Sequence, residues 1–181
     1  MQIILCHGKE SSPCSSKLQI IKNIAEAAGY TVLIPDFRAS DDLNVRLQQL
    51  LDIDFEEPTL LVGMSMGAWI SIAASQKKKV FGLFLMSPAW GTSNYSKVQP
   101  DAPVIHIVHG KDDEVIPCEN ALELMKSLPP SVQYDDAKGS TKLSVVMDSH
   151  RLQGSIKIIE QEFFWFLKEC ETWWAAEMGA T

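Results

Sequence analysis

Residues 59–69 read Thr59-Leu60-Leu61-Val62-Gly63-Met64-Ser65-Met66-Gly67-Ala68-Trp69. An apolar run enters a Gly-x-Ser-x-Gly pentapeptide, and a run of helix-forming residues leaves it. This is the layout of a nucleophile elbow, in which a serine sits on a tight turn between a strand and a helix. Gly63 and Gly67 leave room for neighbouring chain because they carry no Cβ. The pentapeptide alone is a weak signal, so its meaning depends on the remaining sequence.

The composition of the chain limits the classes of protein to which it can belong. Its 181 residues are 46% hydrophobic and 22% charged, which is ordinary for a soluble globular protein. The formal net charge of −7 argues against nucleic-acid binding, because phosphate contacts need clustered cations. No apolar stretch approaches the ~18 residues of a membrane span, so no membrane association is expected.

The cysteines and histidines indicate a cytoplasmic protein without a metal. Four cysteines are scattered without a Cys-x-x-Cys pair, and the N-terminus has no signal-peptide pattern. We therefore expect reduced thiols in the cytoplasm. His106 and His109 lie three positions apart on a predicted strand and should point to opposite faces, where they cannot readily share an ion.

Short apolar runs alternate with longer amphipathic segments along the whole chain. The predicted strands cover residues 3–6, 31–34, 59–62, 82–86, 104–108 and 144–147. The predicted helices run from an N-cap at Ser12 to residue 28, and over 41–51, 69–76, 118–128 and 152–174, with Pro129-Pro130 ending the fourth. Consecutive apolar residues are typical of parallel strands covered on both faces. The pattern predicts one α/β domain over residues 1–181, with a doubly wound, mainly parallel sheet of about six strands flanked by helices.

Two further strand ends carry the partners that a serine nucleophile needs. The strand at 104–108 leads into an acidic loop, in which Asp113 is our candidate acid and Asp112 is the alternative. His150 follows the last predicted strand and is the candidate base. An acidic loop is often merely solvated and a lone histidine is often structural. The order Ser65, Asp113, His150 at three strand ends favours the catalytic interpretation, because hydrolases with a nucleophile elbow use that order.

An oxyanion hole requires two backbone donors beside the serine. The N–H of Met66, directly after Ser65, is the first candidate, because it begins a predicted helix whose dipole favours negative charge. The N–H of Lys9, in the loop after the first strand, is the second, and Gly8 lets that loop approach closely. The same loop lacks the Gly-x-Gly-x-x-Gly of a dinucleotide-binding turn.

Together these residues resemble the α/β-hydrolases, and specifically the small cap-less bacterial esterases with His-Gly-x-x-Ser-Ser-Pro near the N-terminus. The matching positions are His7-Gly8, Ser11-Ser12-Pro13, residues 63–67, His109-Gly110, Asp113, Ile116-Pro117, Asp148 and His150-Arg151. The resemblance implies a minimal α/β-hydrolase fold without a cap domain, a triad of Ser65, Asp113 and His150, and oxyanion donors from Lys9 and Met66. We expect the chain to depart from the family pattern in two ways, by lacking an opening hairpin and by carrying the charged pair Lys9-Glu10 in its oxyanion loop.

We therefore expect a serine hydrolase that cleaves small carboxylic esters or thioesters through an acyl-enzyme on Ser65, with no cofactor. Met64, Trp90 and Tyr95 are candidates for lining the substrate pocket, although each could instead be an ordinary packing residue. One alternative is a non-catalytic protein-binding module of the same fold, with the Trp173-Trp174 pair as an exposed apolar patch. Another is an acyltransferase or perhydrolase that uses the same triad. The sequence fixes neither the acyl group nor the oligomeric state.

Overall fold

The computed structural model describes residues 1–56, 58–128 and 140–179. Its strands are β1 (Gln2–Cys6), β2 (Thr31–Leu33), β3 (Thr59–Met64), β4 (Gly82–Met86), β5 (Val104–Gly110) and β6 (Ser140–Val146). The helices of the described residues are α1 (Ser16–Ala27), α2 (Leu43–Leu51), α3 (Met66–Ser75), α4 (Cys118–Ser127) and α5 (Ile156–Glu177).

The strands form one six-stranded sheet in the order β2-β1-β3-β4-β5-β6, and every neighbouring pair is parallel. The chain moves outward from β1 to one edge, returns to the centre at β3, and continues to the other edge. All six strands therefore end on the same side of the sheet, and the loops that follow β1, β3, β5 and β6 meet there. This confirms the predicted doubly wound fold.

Two apolar layers cover the two faces of the sheet. On one face, Ile4 and Leu61 belong to a core cluster with residues of α2, α3 and α4. On the other face, Ile3 and Leu60 belong to a cluster with residues of α1 and α5. Adjacent residues of a strand thus enter opposite layers, which explains why the strand sequences are apolar at consecutive positions.

Four predicted element starts were wrong by three or four residues. Helix α1 begins at Ser16, after an N-cap at Ser15. Ser12, the predicted N-cap, lies in a preceding turn, where its carbonyl accepts the Ser15 N–H at 3.1 Å. Helix α3 begins immediately after the elbow at residue 66, and α5 begins at residue 156 because positions 148–155 form a compact loop. Strand β6 begins four residues before its predicted start. Pro129 and Pro130 lie outside the described residues.

The C-terminal tryptophan pair does not form the exposed patch that we considered. Trp173 and Trp174 are partly buried and pack on the core, with ring centroids 5.4 and 4.8 Å from that of Phe81. None of the helices over the described residues combines the length and apolar character that crossing a membrane requires.

Candidate active site

The nucleophile elbow places Ser65 in a strained conformation between β3 and α3. Its backbone has φ 54° and ψ −119°, a region that L residues other than glycine seldom occupy. A Cβ on Gly63 would lie 2.4 Å from the Ala68 Cα, and one on Gly67 would lie 2.0 Å from the Cys6 carbonyl oxygen. Because both contacts are with backbone, no side chain can be accommodated at either glycine. The tight packing of β1, β3 and α3 therefore fixes the turn that presents Ser65.

His150 lies on the loop between β6 and α5, with its imidazole pointing at the serine. The His150 Nε2 is 3.0 Å from the Ser65 Oγ, and the His150 Nδ1 is 2.8 Å from the Asp113 Oδ2. With its proton on Nδ1, facing the carboxylate, the neutral ring has a free Nε2 lone pair to accept the serine proton. The His150 backbone is held at both ends, since its N–H donates to Glu114 and its carbonyl accepts the Ser87 hydroxyl at 3.0 Å.

Asp113 follows β5 and is the carboxylate that completes the chain of hydrogen bonds. Its side chain is fully buried. Its Oδ1 accepts the N–H groups of Val115 and Ile116 at 2.9 and 2.8 Å, which leaves Oδ2 for the imidazole. Burial raises the pKa of the carboxyl, but these hydrogen bonds, together with those from His150 and His109, outweigh burial and hold the pKa well below its ordinary value. The carboxylate is therefore ionised and oriented before any substrate binds.

The alternative acid, Asp112, is exposed to solvent and is not hydrogen-bonded to His150. A second histidine instead approaches Asp113. The Nε2 of His109 is 3.2 Å from the Asp113 Oδ2 and 2.9 Å from the Ile116 carbonyl oxygen, so that nitrogen must carry a proton. We did not predict this contact from the sequence. The spacing of four between His109 and Asp113 was a possible signal, because the turn after β5 brings these positions together.

The loop after β1 lies directly beside the elbow, where we expected the second oxyanion donor. A Cβ added to Gly8 would be 3.5 Å from the Ser65 Cβ. No turn, loop or cap hydrogen bond among the described residues uses the N–H of Lys9 or of Met66. Met66 directly follows Ser65, and Lys9 follows the glycine that approaches it, so both remain candidates for the oxyanion donors.

His7 helps to hold the same loop in place through its hydrogen bonds. It is fully buried, its Nε2 accepts the Phe37 N–H at 2.9 Å, and its Nδ1 donates to the Gly8 carbonyl at 2.8 Å. Burial is the largest influence on the pKa of His7 and lowers it. The hydrogen bond to the Gly8 carbonyl and the Asp36 charge raise the pKa, the Arg46 and Arg38 charges lower it, and the net shift is downward. The neutral ring therefore uses both nitrogens, and protonation would destroy the acceptor that holds Phe37.

A cavity of about 450 Å³ opens above Ser65 and His150. Met64 and Tyr95 line it, as expected for substrate-binding residues, together with Val115 and Ile116. Trp90 does not line this cavity, contrary to our expectation. It is buried in the core, and its indole N–H donates to the Val98 carbonyl at 2.7 Å. The remaining lining is largely polar, with charged side chains Lys9, Glu10, Lys17, Glu114 and Arg151.

Comparison with solved structures decides the family. A Xanthomonas campestris pv. campestris protein assigned to the α/β hydrolase superfamily has 30% sequence identity and a TM-score of 0.79, over 92% of this chain and 98% of that protein. The chain belongs to the α/β hydrolase superfamily. No protein-family model and no curated protein matches the sequence.

Two more distant structures share the fold of this chain. Another Xanthomonas campestris protein, an α/β serine hydrolase without a lid, has 17% identity and a TM-score of 0.70, over 92% of this chain and 80% of that one. Est1E from Butyrivibrio proteoclasticus has 16% identity and a TM-score of 0.73, over 94% of this chain and 88% of that one.

The segment between β4 and β5, residues 87–103, is the connection after Ser65 in which we looked for a cap domain. It packs down on the body instead, since the Trp69 indole N–H donates to the Ser96 carbonyl at 3.0 Å and Trp90 bonds to Val98. The residues that the structure describes therefore place no cap domain over the cavity. They also contain no group of three His, Cys, Asp or Glu residues arranged to hold a metal ion.

Proposed function

We propose that this α/β hydrolase cleaves small carboxylic esters or thioesters through an acyl-enzyme on Ser65. The observation that carries the proposal is the unbroken series of contacts from Ser65 through His150 to the buried Asp113, at 3.0 and 2.8 Å. A serine hydroxyl becomes a useful nucleophile when an oriented base accepts its proton. The three side chains follow β3, β5 and β6, and the fold holds them together at the carboxyl ends of these strands.

Acylation uses the groups in the order in which they contact one another. His150 takes the hydroxyl proton on Nε2 while the Ser65 Oγ attacks the carbonyl carbon. Asp113 keeps the other imidazole proton on Nδ1 and stabilises the imidazolium that forms. The imidazolium then protonates the leaving alkoxide or thiolate, and the acyl group remains on the serine.

The tetrahedral intermediate places a negative charge on the former carbonyl oxygen. The Lys9 and Met66 N–H groups are the donors that we propose for this oxyanion. Met66 directly follows Ser65, Lys9 follows the Gly8 that approaches it, and neither N–H has a turn or loop partner among the described residues. The start of α3 adds the positive end of a helix dipole. Water, deprotonated by His150, then attacks the acyl-enzyme through the same arrangement and releases the acid.

The shape and charge of the cavity indicate the size of the substrate. Its volume of about 450 Å³, without a cap in the described chain, suits a small soluble ester or an acyl group presented by a larger molecule. Met64 and Tyr95 provide the apolar surface, and the charged rim suits a substrate with polar groups. No cofactor takes part in this chemistry.

The alternatives differ from hydrolysis in ways that can be measured. A non-catalytic binding module has lost its main support, because Trp173 and Trp174 pack on Phe81. An acyltransferase or perhydrolase would form the same acyl-enzyme and pass the acyl group to another nucleophile. Product analysis with competing alcohols, amines and hydrogen peroxide separates these reactions from hydrolysis.

We further propose that the protein acts in the cytoplasm. Cys6, Cys118 and Cys170 are buried free thiols, and Cys14 is an exposed free thiol. Unpaired thiols fit a reducing compartment. Redox-sensitive thiol labelling of the protein in intact cells tests this placement, since disulfide formation would contradict it.

The test of the function is hydrolysis of p-nitrophenyl acetate and butyrate by the wild type, Ser65→Ala and Ser93→Ala. Ser93 is exposed, does not line the cavity and serves as the matched control. We expect Ser65→Ala to lose all activity above background and Ser93→Ala to keep it. Equal rates in the wild type and Ser65→Ala would refute the serine mechanism.

A further inference from the structure

We infer that Arg46 is a positioning residue that fixes the peptide groups of the oxyanion loop. The inference rests on the proposed function, since it concerns the donor that we assign to Lys9. Arg46 belongs to α2 and is not among the residues that line the cavity. Its influence on the reaction would therefore be exerted through the backbone of residues 8–10.

The guanidinium of Arg46 is fully buried and binds that backbone directly. Its Nη1 donates to the Gly8 carbonyl and its Nη2 to the Lys9 carbonyl, both at 3.3 Å. The same Nη2 is 2.9 Å from the Asp41 Oδ1, and Nε donates to the Ser40 carbonyl at 2.5 Å. One planar group thus joins two consecutive peptide units of the loop to the segment before α2.

These contacts determine where the oxyanion donor points. In a trans peptide the C=O and the following N–H point in opposite directions. The Gly8 carbonyl accepts from Arg46, from His7 Nδ1 at 2.8 Å and from the Ser11 N–H at 3.3 Å. The Lys9 N–H of that same peptide unit must therefore point away from this cluster of donors.

The next peptide unit depends on Arg46 more strongly. No other donor among the described residues reaches the Lys9 carbonyl. Loss of the guanidinium would release this unit, whereas the Gly8 carbonyl would keep two partners. The two peptide units meet at the Lys9 Cα, so release of the second unit also loosens the Lys9 N–H, in a loop that approaches Ser65 closely at Gly8.

The type of residue is also informative. Burying a cation is costly unless its protons are paired, and here one carboxylate and three carbonyls pair them. A lysine offers a single point of donation and cannot reproduce a planar fork. Arg46→Lys therefore keeps the charge and removes the geometry. Arg38→Lys is the matched control, because Arg38 is exposed and pairs with the exposed Asp36.

The experiment compares the wild type, Arg46→Lys and Arg38→Lys with p-nitrophenyl acetate. The concentration of active sites is first counted by titration with a fluorophosphonate, so that partly unfolded protein does not contribute. Affinity for a trifluoromethyl ketone, which forms an oxyanion on binding to serine, is the second readout. If Arg46→Lys does not fold, Asp41→Asn replaces it. Asp41 is exposed, and this substitution weakens the ion pair that holds the Arg46 guanidinium.

We expect Arg46→Lys to lower kcat per titrated site about 10- to 100-fold, as misplacement or loss of an oxyanion donor does. KM should change little, and ketone affinity should fall by a factor similar to that of kcat. Arg38→Lys should match the wild type. A kcat per site within about twofold of the wild type would overturn the inference, as would a loss of kcat without weaker ketone binding. An inactive wild type would instead refute the proposed function itself.

Discussion

Replacing Asp113 by asparagine tests how the carboxylate controls the base. Its Oδ1 accepts two backbone N–H groups, so the oxygen of the new amide must occupy that position. The NH₂ group then faces the Nδ1 of His150 and the Nε2 of His109. His150 has to accept at Nδ1, which moves its proton to Nε2. That nitrogen can no longer accept the proton of Ser65.

The expected loss follows from this change of tautomer. We predict that Asp113→Asn lowers kcat by about 10⁴-fold, the effect of the same substitution in a serine triad, which corresponds to roughly 5.5 kcal/mol of activation free energy. The contact between Asp113 and His109 adds a second effect, a lower free energy of unfolding. The proton of His109 Nε2 would meet the new amide at 3.2 Å, where it now meets a carboxylate.

The assay is kcat for p-nitrophenyl butyrate, normalised to folded protein by circular dichroism. Asp112→Asn is the matched control, because Asp112 is the adjacent residue and is exposed. It should retain wild-type kcat within about twofold, as surface substitutions away from a site usually do. The reasoning would be refuted if Asp113→Asn kept a tenth or more of the wild-type kcat, or if Asp112→Asn suffered the larger loss.

Two further predictions concern stability. Gly67→Ala places a Cβ 2.0 Å from the Cys6 carbonyl oxygen and should lower the free energy of unfolding by ~3 kcal/mol, the upper end of the usual range for overpacking. Gly154→Ala, with a nearest contact of 3.4 Å, should cost far less. Urea unfolding of both variants checks this, and equal midpoints would contradict it. Burial lowers the pKa of His106 in the folded protein, despite its hydrogen bond to Glu169. When the pH falls below the ordinary histidine pKa of 6.5, His106 therefore takes up a proton in the unfolded chain before it does so in the folded chain. Acidification should for this reason lower the free energy of unfolding. That contribution cannot exceed about 1.4 kcal/mol per pH unit, and a His106→Gln variant should show a shallower fall in urea midpoint from pH 7.5 to 5.5; an unchanged slope would contradict it.

The sequence was sufficient to place the main parts of the fold and the candidate site. Consecutive apolar residues identify strands buried on two faces, and parallel strands bring their ends together. That is why Ser65, Asp113 and His150 could be grouped before the structure was known. The positions of residues along the chain do not give the distances between their side chains. The geometry of the turn after β5 was therefore needed to show whether Asp113 or Asp112 reaches His150.

The errors arose where local patterns compete with tertiary contacts. Ser12-Pro13 has the form of a helix start, yet the chain makes a further turn before α1, and residues 15–17 of that segment line the cavity. The first half of β6 is polar because it lies at the sheet edge, and its pairing with β5 from residue 140 onward outweighs that weak pattern. Trp90 was predicted as a pocket residue from its position after β4, but its side chain turns into the core.

Arg46 illustrates what sequence could not reveal. A single arginine on an amphipathic helix is normally a surface residue. Its partners Gly8 and Lys9 lie 38 and 37 positions away, and they bind it through carbonyl groups that every residue possesses. No pattern of residue types records such a contact.

The central claim is that Ser65 carries the acyl group during turnover. Acid quenching of the wild-type reaction with p-nitrophenyl acetate within the first turnover, followed by peptide mass spectrometry, tests it directly. We expect one acetyl group per chain, on the peptide that contains Ser65, and none in Ser65→Ala. Turnover by the wild type with the acetyl group on a different residue, or with undiminished hydrolysis by Ser65→Ala, would contradict it.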